Sequence, residues 1–166
     1  MTYRCERSIT INASPETVWE LVQEPTRRLE WDVRVRAVEL LTPRPLGKGT
    51  RLRITYAMWG ARMTTEITML SWQPYRRSAV TMTGGQNEGA FAASWNFVAN
   101  PDGSTTWTTR FVLTGAGRLA PVRERVFGRI FELLTVVSQR NLKRLAEAER
   151  RAEAIAPPGW TNPPRI

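Results

Sequence analysis

PVRERVFGRIFELLTVVSQRNLKRLAEAERR, residues 121–151, reads as one long helix with two unlike halves. In the first half Val122, Val126, Phe127, Ile130, Phe131, Leu133, Leu134, Val136 and Val137 wrap most of the way round the helical wheel. A helix lying on a sheet ordinarily carries one apolar stripe with polar residues opposite. That pattern returns only from Arg140, with Leu142, Leu145 and Ala148 on one side and Lys143, Arg144, Glu147 and Arg150 on the other. The first half is therefore expected to cover more than one apolar surface: a sheet and its loops, a bound apolar ligand, another chain or a membrane. Gly128 sits within it, where glycine is about 1 kcal/mol less favourable than alanine. It marks a kink or a close backbone approach.

Upstream of this helix the chain alternates. Leu52, Ile54, Tyr56 and Met58 interleave with Arg51, Arg53 and Thr55, the period of a half-buried strand. Met63, Thr65, Ile67 and Met69 do the same against Thr64, Glu66 and Thr68. Further strands are expected over 33–41, 77–83, 93–97 and 106–113, with Gly47-Lys48-Gly49, Gly60-Ala61, Gly84-Gly85 and Asn100-Pro101-Asp102-Gly103 as the breaks and turns between them. Before the meander, Ile9-Thr10-Ile11 reads as a first strand. Ser14-Pro15-Glu16 then starts a helix, with serine as N-cap, proline at the first helical position and a carboxylate in the first turn. Pro25 stops that helix, and 26–31 makes another short turn.

Composition narrows the chemistry. The 166 residues suit one domain that buries about two-thirds of its unfolded surface. There is no histidine, which removes His-ligated metals and the Ser-His and Cys-His nucleophile pairs. The single cysteine, Cys5, excludes an internal disulfide and a Cys-based zinc site, and agrees with a cytoplasmic protein. No cofactor or metal is expected; any reaction rests on carboxylates, Tyr, Arg, Lys, hydroxyls or water. No run of about 18 apolar residues exists to span a membrane, and the charged first residues lack the apolar core of a signal peptide.

The net charge is +9. Residues 118–151 hold nine basic and four acidic side chains, so five of those charges lie there. The rest are spread along the chain, nearly all as arginine, which argues against nucleic acid as a partner. Arg118, Arg123, Arg125 and Arg129 beside Val122, Val126, Phe127 and Ile130 read as a basic amphipathic segment. An acidic partner, a peripheral contact with an anionic membrane and a homodimer contact are candidates for that face.

The order of these elements, with the motifs in it, resembles the START-like SRPBCC superfamily of polyketide cyclases and dehydrases, lipid-transfer domains and pollen-allergen relatives. The pieces are INASPETVW at 11–19, the Pro25 to Trp31 segment, Gly47-Lys48-Gly49-Thr50, Trp95-Asn96-Phe97 and Gly103-Ser104-Thr105-Thr106-Trp107. Together they span about residues 5–150. The resemblance implies an α+β helix-grip fold, in which a six- to seven-stranded antiparallel sheet wraps around the long C-terminal helix. One domain is expected over 1–153, followed by a Pro-rich flexible tail over 154–166.

Such a fold implies a cavity between sheet and helix. By alternation its strand lining is Leu52, Ile54, Tyr56, Met58, Met63, Thr65, Ile67, Met69, Val80, Met82, Trp95, Phe97, Trp107, Thr109, Phe111 and Leu113. The long helix adds Val126, Phe127, Ile130, Phe131, Leu134 and Val137, and Trp31 joins from the short second helix. A mostly apolar lining with a few polar tips suits a small hydrophobic or aromatic, lipid- or polyketide-like molecule. Binding without chemistry is the first expectation. A cyclase- or dehydratase-type enzyme is the alternative, with Tyr56 as proton donor, Glu88 as base, and Arg62 or Arg110 holding an anion at the mouth, although Arg110 falls on the outer face. A basic interaction module for an anionic partner is a further alternative.

Overall fold

The computed structural model describes residues 2–58, 61–85, 89–115 and 120–155. β1 (Thr2–Ile11) is followed by α1 (Pro15–Gln23) and the four-residue α2 (Arg28–Trp31). The meander then runs β2 (Val35–Leu40), β3 (Arg51–Met58), β4 (Ala61–Gln73), β5 (Arg77–Gly85), β6 (Gly89–Ala99) and β7 (Thr105–Gly115), and α3 (Ala120–Ile155) follows it. All seven strands form one antiparallel sheet in the order β1-β7-β6-β5-β4-β3-β2, with the first strand returning to pair with the last. Register shifts between Val35 and Ala37 and at two places in β4 mark bulges, which bend strands. This is the helix-grip fold that the order of elements implied.

Local chemistry explains the entry. The Ser14 hydroxyl accepts a hydrogen bond from the Thr17 amide at 3.3 Å, and Pro15 occupies the start of α1. That helix buries Val18, Trp19, Leu21 and Val22. The Trp19 ring packs edge-on against Trp72, Tyr75 and Phe97, at centroid distances of 5.0, 6.0 and 5.1 Å. In β3 the alternation holds: Leu52, Ile54 and Tyr56 are buried while Arg51 is exposed. Gly49 and Gly103 have φ of +87° and +76°, the left-handed conformation their turns require.

Three elements differ from the expectation. β1 begins at Thr2 rather than near Ile9, because its whole length pairs with β7, Cys5 opposite Phe111 and Ile9 opposite Trp107. β4 runs on to Gln73, where its far end pairs with β5 across Trp72 and Ser78. The third difference concerns α3. Val122 and Leu133 are 66% and 65% exposed, and Val126 and Val137 are exposed too. Val126 and Val137, expected to line the cavity, do not.

The inward face of this half of the helix instead carries Glu132, Thr135, Ser138 and Gln139, all buried. The cause is the surface it meets. Glu132 accepts hydrogen bonds from the Tyr3 hydroxyl and the Arg7 guanidinium of β1. Gln139 donates to the Arg7 carbonyl at 3.2 Å. Phe131 is the apolar member of this face, and only one turn later does the inner face become wholly apolar, with Leu142 and Ala146 fully buried. Gly128 marks a close approach: a methyl at its Cα would lie 2.5 Å from the Tyr3 ring. Among the described residues no helix is long and apolar enough to cross a membrane.

Candidate functional site

Between the sheet and the middle of α3 lies a cavity lined from seven elements and the segment after α2. α2 and that segment give Arg28, Trp31 and Arg34; β3 to β5 give Tyr56, Ile67 and Val80; β6 gives Phe91, Ala93 and Trp95. β7 gives Trp107, Thr109 and Phe111, and α3 gives Phe131, Thr135 and Ser138. The space between atoms, counted out to the mouth, is about 490 Å³, of which about 20 Å³ can be occupied by the centre of a water molecule. The smaller figure governs fit, and it is room for about one water. Phe131 narrows the space, edge-on to Phe91 at 5.7 Å and to Phe111 at 4.7 Å.

One wall is ionic. Asp32 follows the single turn of α2, and Arg34 lies two residues on in the tight turn that leads into β2, closed by the Val35 amide on the Asp32 carbonyl at 3.0 Å. Arg34 grips Asp32 with both arms, Nε to Oδ1 at 2.7 Å and Nη2 to Oδ2 at 2.9 Å. Its Nη1 donates to the Thr135 hydroxyl at 2.9 Å, and the guanidinium lies 4.2 Å from the centre of the Phe131 ring. Ser138 donates to Asp32 Oδ1 at 3.3 Å and accepts from the Val33 amide at 3.3 Å. The pair thus fastens the α2 segment to the helix.

Burial pushes the Asp32 carboxyl up, but the charge and hydrogen bonds of Arg34, with the charge of Arg28, outweigh it and hold it at about 2. For Arg34, burial pulls downward and Asp32 more than offsets it, so the guanidinium stays charged. Burial also raises the Tyr56 phenol above its ordinary value. Arg28 and Arg34 pull it down and Asp32 pushes it up, without reversing the shift. Tyr56 therefore keeps its proton at neutral pH and can donate it as a hydrogen bond.

Arg28 is held differently. Its guanidinium lies 5.3 Å from the centre of the Trp95 ring and 5.9 Å from that of Trp31. Its Nε is 3.5 Å from Asp32 Oδ2, within reach of an ion pair but not aligned as a hydrogen bond. That Nε and the Trp107 indole N–H are buried and have no hydrogen-bond partner. Trp31, by contrast, spends its indole N–H on the Leu21 carbonyl at 2.7 Å.

Of the residues expected at the site, Trp31, Tyr56, Ile67, Val80, Trp95, Trp107, Thr109, Phe111 and Phe131 come together around this cavity. Leu52, Ile54 and Met69 are buried in the core away from it, Thr65 is buried beside them, and Phe97 packs on Trp19. Met63, Met82, Leu113, Ile130 and Leu134 are half-buried outside the lining, and Phe127 stacks on Phe131 at 6.2 Å. Glu88 and the Met58 side chain lie outside the described residues. Arg62 is exposed, and Arg110 pairs with Glu6 on the outer face.

Arg28, Asp32, Arg34, Thr135 and Ser138 were missed by sequence reasoning. The available signal was polar spacing: Asp32 and Arg34 two apart beside a strand, and Thr135 and Ser138 three apart within the most apolar stretch of the helix. Among the described residues no group of three or more His, Cys, Asp or Glu could hold a metal ion.

The model of the family described as polyketide cyclase / dehydrase and lipid transport matches residues 2–148. An uncharacterised protein of Mycobacterium bovis is 29% identical over 149 residues, covering 88% of this chain and 86% of that one. Among solved structures, the Zhui aromatase/cyclase of Streptomyces sp. R1128 superposes with a TM-score of 0.76 at 19% identity, over 92% of this chain and 98% of that one. Major latex-like protein 151 of Panax ginseng gives a TM-score of 0.70 at 9% identity, over 87% and 97%. At such identities the likeness of the solved structures is one of fold.

Proposed function

The chain belongs to the polyketide cyclase / dehydrase and lipid transport family of the START-like SRPBCC superfamily, and from that premise we propose that it binds a small hydrophobic or aromatic molecule, lipid- or polyketide-like, between the sheet and α3. One observation carries the reading. An aromatic cavity keeps two buried donors unpartnered, the Trp107 indole N–H and Arg28 Nε, whereas most buried polar atoms of a packed interior are paired. A ligand with a flat apolar body and an acceptor oxygen supplies what the wall lacks. Entry of such a body requires the half-buried rings of Phe91 and Phe131 to swing aside, since the closed space holds about one water.

The test is titration with 2-naphthamide, a flat neutral amide, read by quenching of tryptophan fluorescence. Trp31, Trp95 and Trp107 line the cavity and report on it directly. A saturable response at one ligand per chain is expected. No saturable quenching, together with an unliganded mass for freshly purified protein in native mass spectrometry, overturns the reading.

A second reading, a cyclase or dehydratase acting on such a ligand, is favoured by Tyr56. It lines the cavity, and its raised pKa keeps it a proton donor. A phenol donating to a ligand carbonyl as negative charge grows there would contribute general-acid catalysis of about 10²- to 10⁴-fold. Cyclisation of an aromatic-forming polyketone by wild type, lowered at least a hundredfold in Tyr56→Phe with binding retained, is the expected result. An unchanged rate in the variant removes Tyr56 from the mechanism.

A further inference from the structure

The charges around the cavity do not balance. Among the described residues Asp32 is the only carboxylate in this ionic wall, and Arg34 engages both of its oxygens. That pair is neutral. Arg28 remains as the surplus cation, its side chain 12% exposed, its Nε 3.5 Å from Asp32 Oδ2 and without a hydrogen bond. Glu132, the buried carboxylate of the inner face of α3, is taken up by Tyr3 and Arg7 of β1, and Glu149 pairs with Arg27. Besides its long ion pair with Asp32, Arg28 is held by the indoles of Trp95 and Trp31. Their faces offset only part of what burying a guanidinium costs.

Resting on the binding reading above, we propose that the ligand is an acid, whose carboxylate or other single negative charge seats on Arg28 while its ring lies along Trp31, Trp95 and Trp107. Three observations support this. Arg28 lines the cavity, so an anion there needs no further opening of the ionic wall. The guanidinium is a planar fork that meets a carboxylate through parallel hydrogen bonds. Trp107 adds a free donor in the same cavity for a second oxygen of the ligand. Tyr56, kept neutral by burial, does not compete for the site as an anion.

The test compares 2-naphthoate with 2-naphthamide, which share a shape and differ by one charge. Titration in about 0.15 M salt leaves exposed arginines screened beyond about 8 Å. Wild type is expected to bind naphthoate roughly 10- to 100-fold more tightly than the amide, the range of a hydrogen bond to a charged group. Arg28→Met should bring the ratio near one, and Arg28→Lys should restore most of it. Arg28→Gln carries the same comparison if the methionine variant does not fold.

Equal binding of acid and amide by wild type overturns the acid proposal and leaves the binding reading standing. A preference for the acid that survives Arg28→Met also overturns it, because the charge is then read elsewhere. Binding of neither probe, together with an unliganded mass in native mass spectrometry, overturns both readings.

Discussion

Replacing Gly128 by alanine should destabilise the protein, although helix propensity alone says the opposite. The methyl adds about 1 kcal/mol of helix stability relative to glycine. It would also lie 2.5 Å from two carbons of the Tyr3 ring and 2.7 Å from a third. One of the three is the root of the ring, so a turn of the ring tip does not relieve the clash. Tyr3 has little freedom to retreat. Its hydroxyl bonds to the carboxylate of Glu132, which is 7% exposed, and its ring stacks on Phe111 at 6.2 Å.

Overpacking of a filled site costs roughly 1–3 kcal/mol, and loosening a hydrogen bond to a charged group costs up to about 1.5–3 kcal/mol more. Against the propensity gain, a net loss of about 1–3 kcal/mol is expected. That is a fall in Tm of about 2–12 °C for a chain of this size. Urea unfolding measures it, and the control is the same change in a Tyr3→Ala background. There the clash is gone, so Gly128→Ala should stabilise by about 1 kcal/mol. The sign must reverse between the two backgrounds. If Gly128→Ala stabilises the wild-type protein, the close approach of β1 to α3 does not constrain the helix, and the reasoning fails.

Two further outcomes follow from the ionic wall and the first helix. Asp32 is held at about 2 in the folded chain against an ordinary 3.8, so its contribution is complete above pH 3.8 and is lost as pH falls through about 2. The loss is about 2 kcal/mol, read as a falling urea midpoint across that window. Asp32→Asn, which leaves buried Arg34 without its carboxylate, should abolish that pH dependence and cost roughly 3–5 kcal/mol at neutral pH. A variant as stable as wild type would mean that the pair is dispensable. Ser14→Ala removes the cap on the Thr17 amide and should cost about 1 kcal/mol. An unmoved thermal midpoint would place the start of α1 under tertiary rather than capping control.

The sheet was legible in the sequence because a strand buries one face, and a period of two is visible residue by residue. Leu52, Ile54 and Tyr56 point inward between Arg51, Arg53 and Thr55 as the alternation required. The start of α1 was legible because capping is local: serine, proline and glutamate act within one turn. The first half of β1 was not. Residues 3–8, Tyr-Arg-Cys-Glu-Arg-Ser, carry no apolar alternation, and their pairing with β7 is a contact across about a hundred residues. The ionic wall escaped for the same reason. Asp32 and Arg34 stand two apart, but nothing near them in the sequence announces that Thr135 and Ser138, about a hundred residues on, will meet them.

The long helix shows how a correct count can yield the wrong face. Its first half does hold too many apolar residues for one stripe, but Val122, Val126, Leu133 and Val137 are the outward ones. A helical wheel weighs hydrophobicity and has no knowledge of what the other elements present. Here they present Tyr3, Arg7 and Arg34, so beside Phe131 the inward positions are Glu132, Thr135, Ser138 and Gln139. Thr135, Ser138, Leu142 and Ala146 fall at steps of three, four and four, one continuous inner stripe that changes from hydroxyls to hydrocarbon. The change coincides with a change of environment. Thr135 and Ser138 line the cavity, whereas Leu142 and Ala146 are sealed in the core. The polar inner half cannot be explained by helix packing, which Leu and Ala accomplish one turn later. It follows from the ionic wall it fastens, and that wall is what brings Arg28 and the indoles of Trp31 and Trp95 together at the cavity.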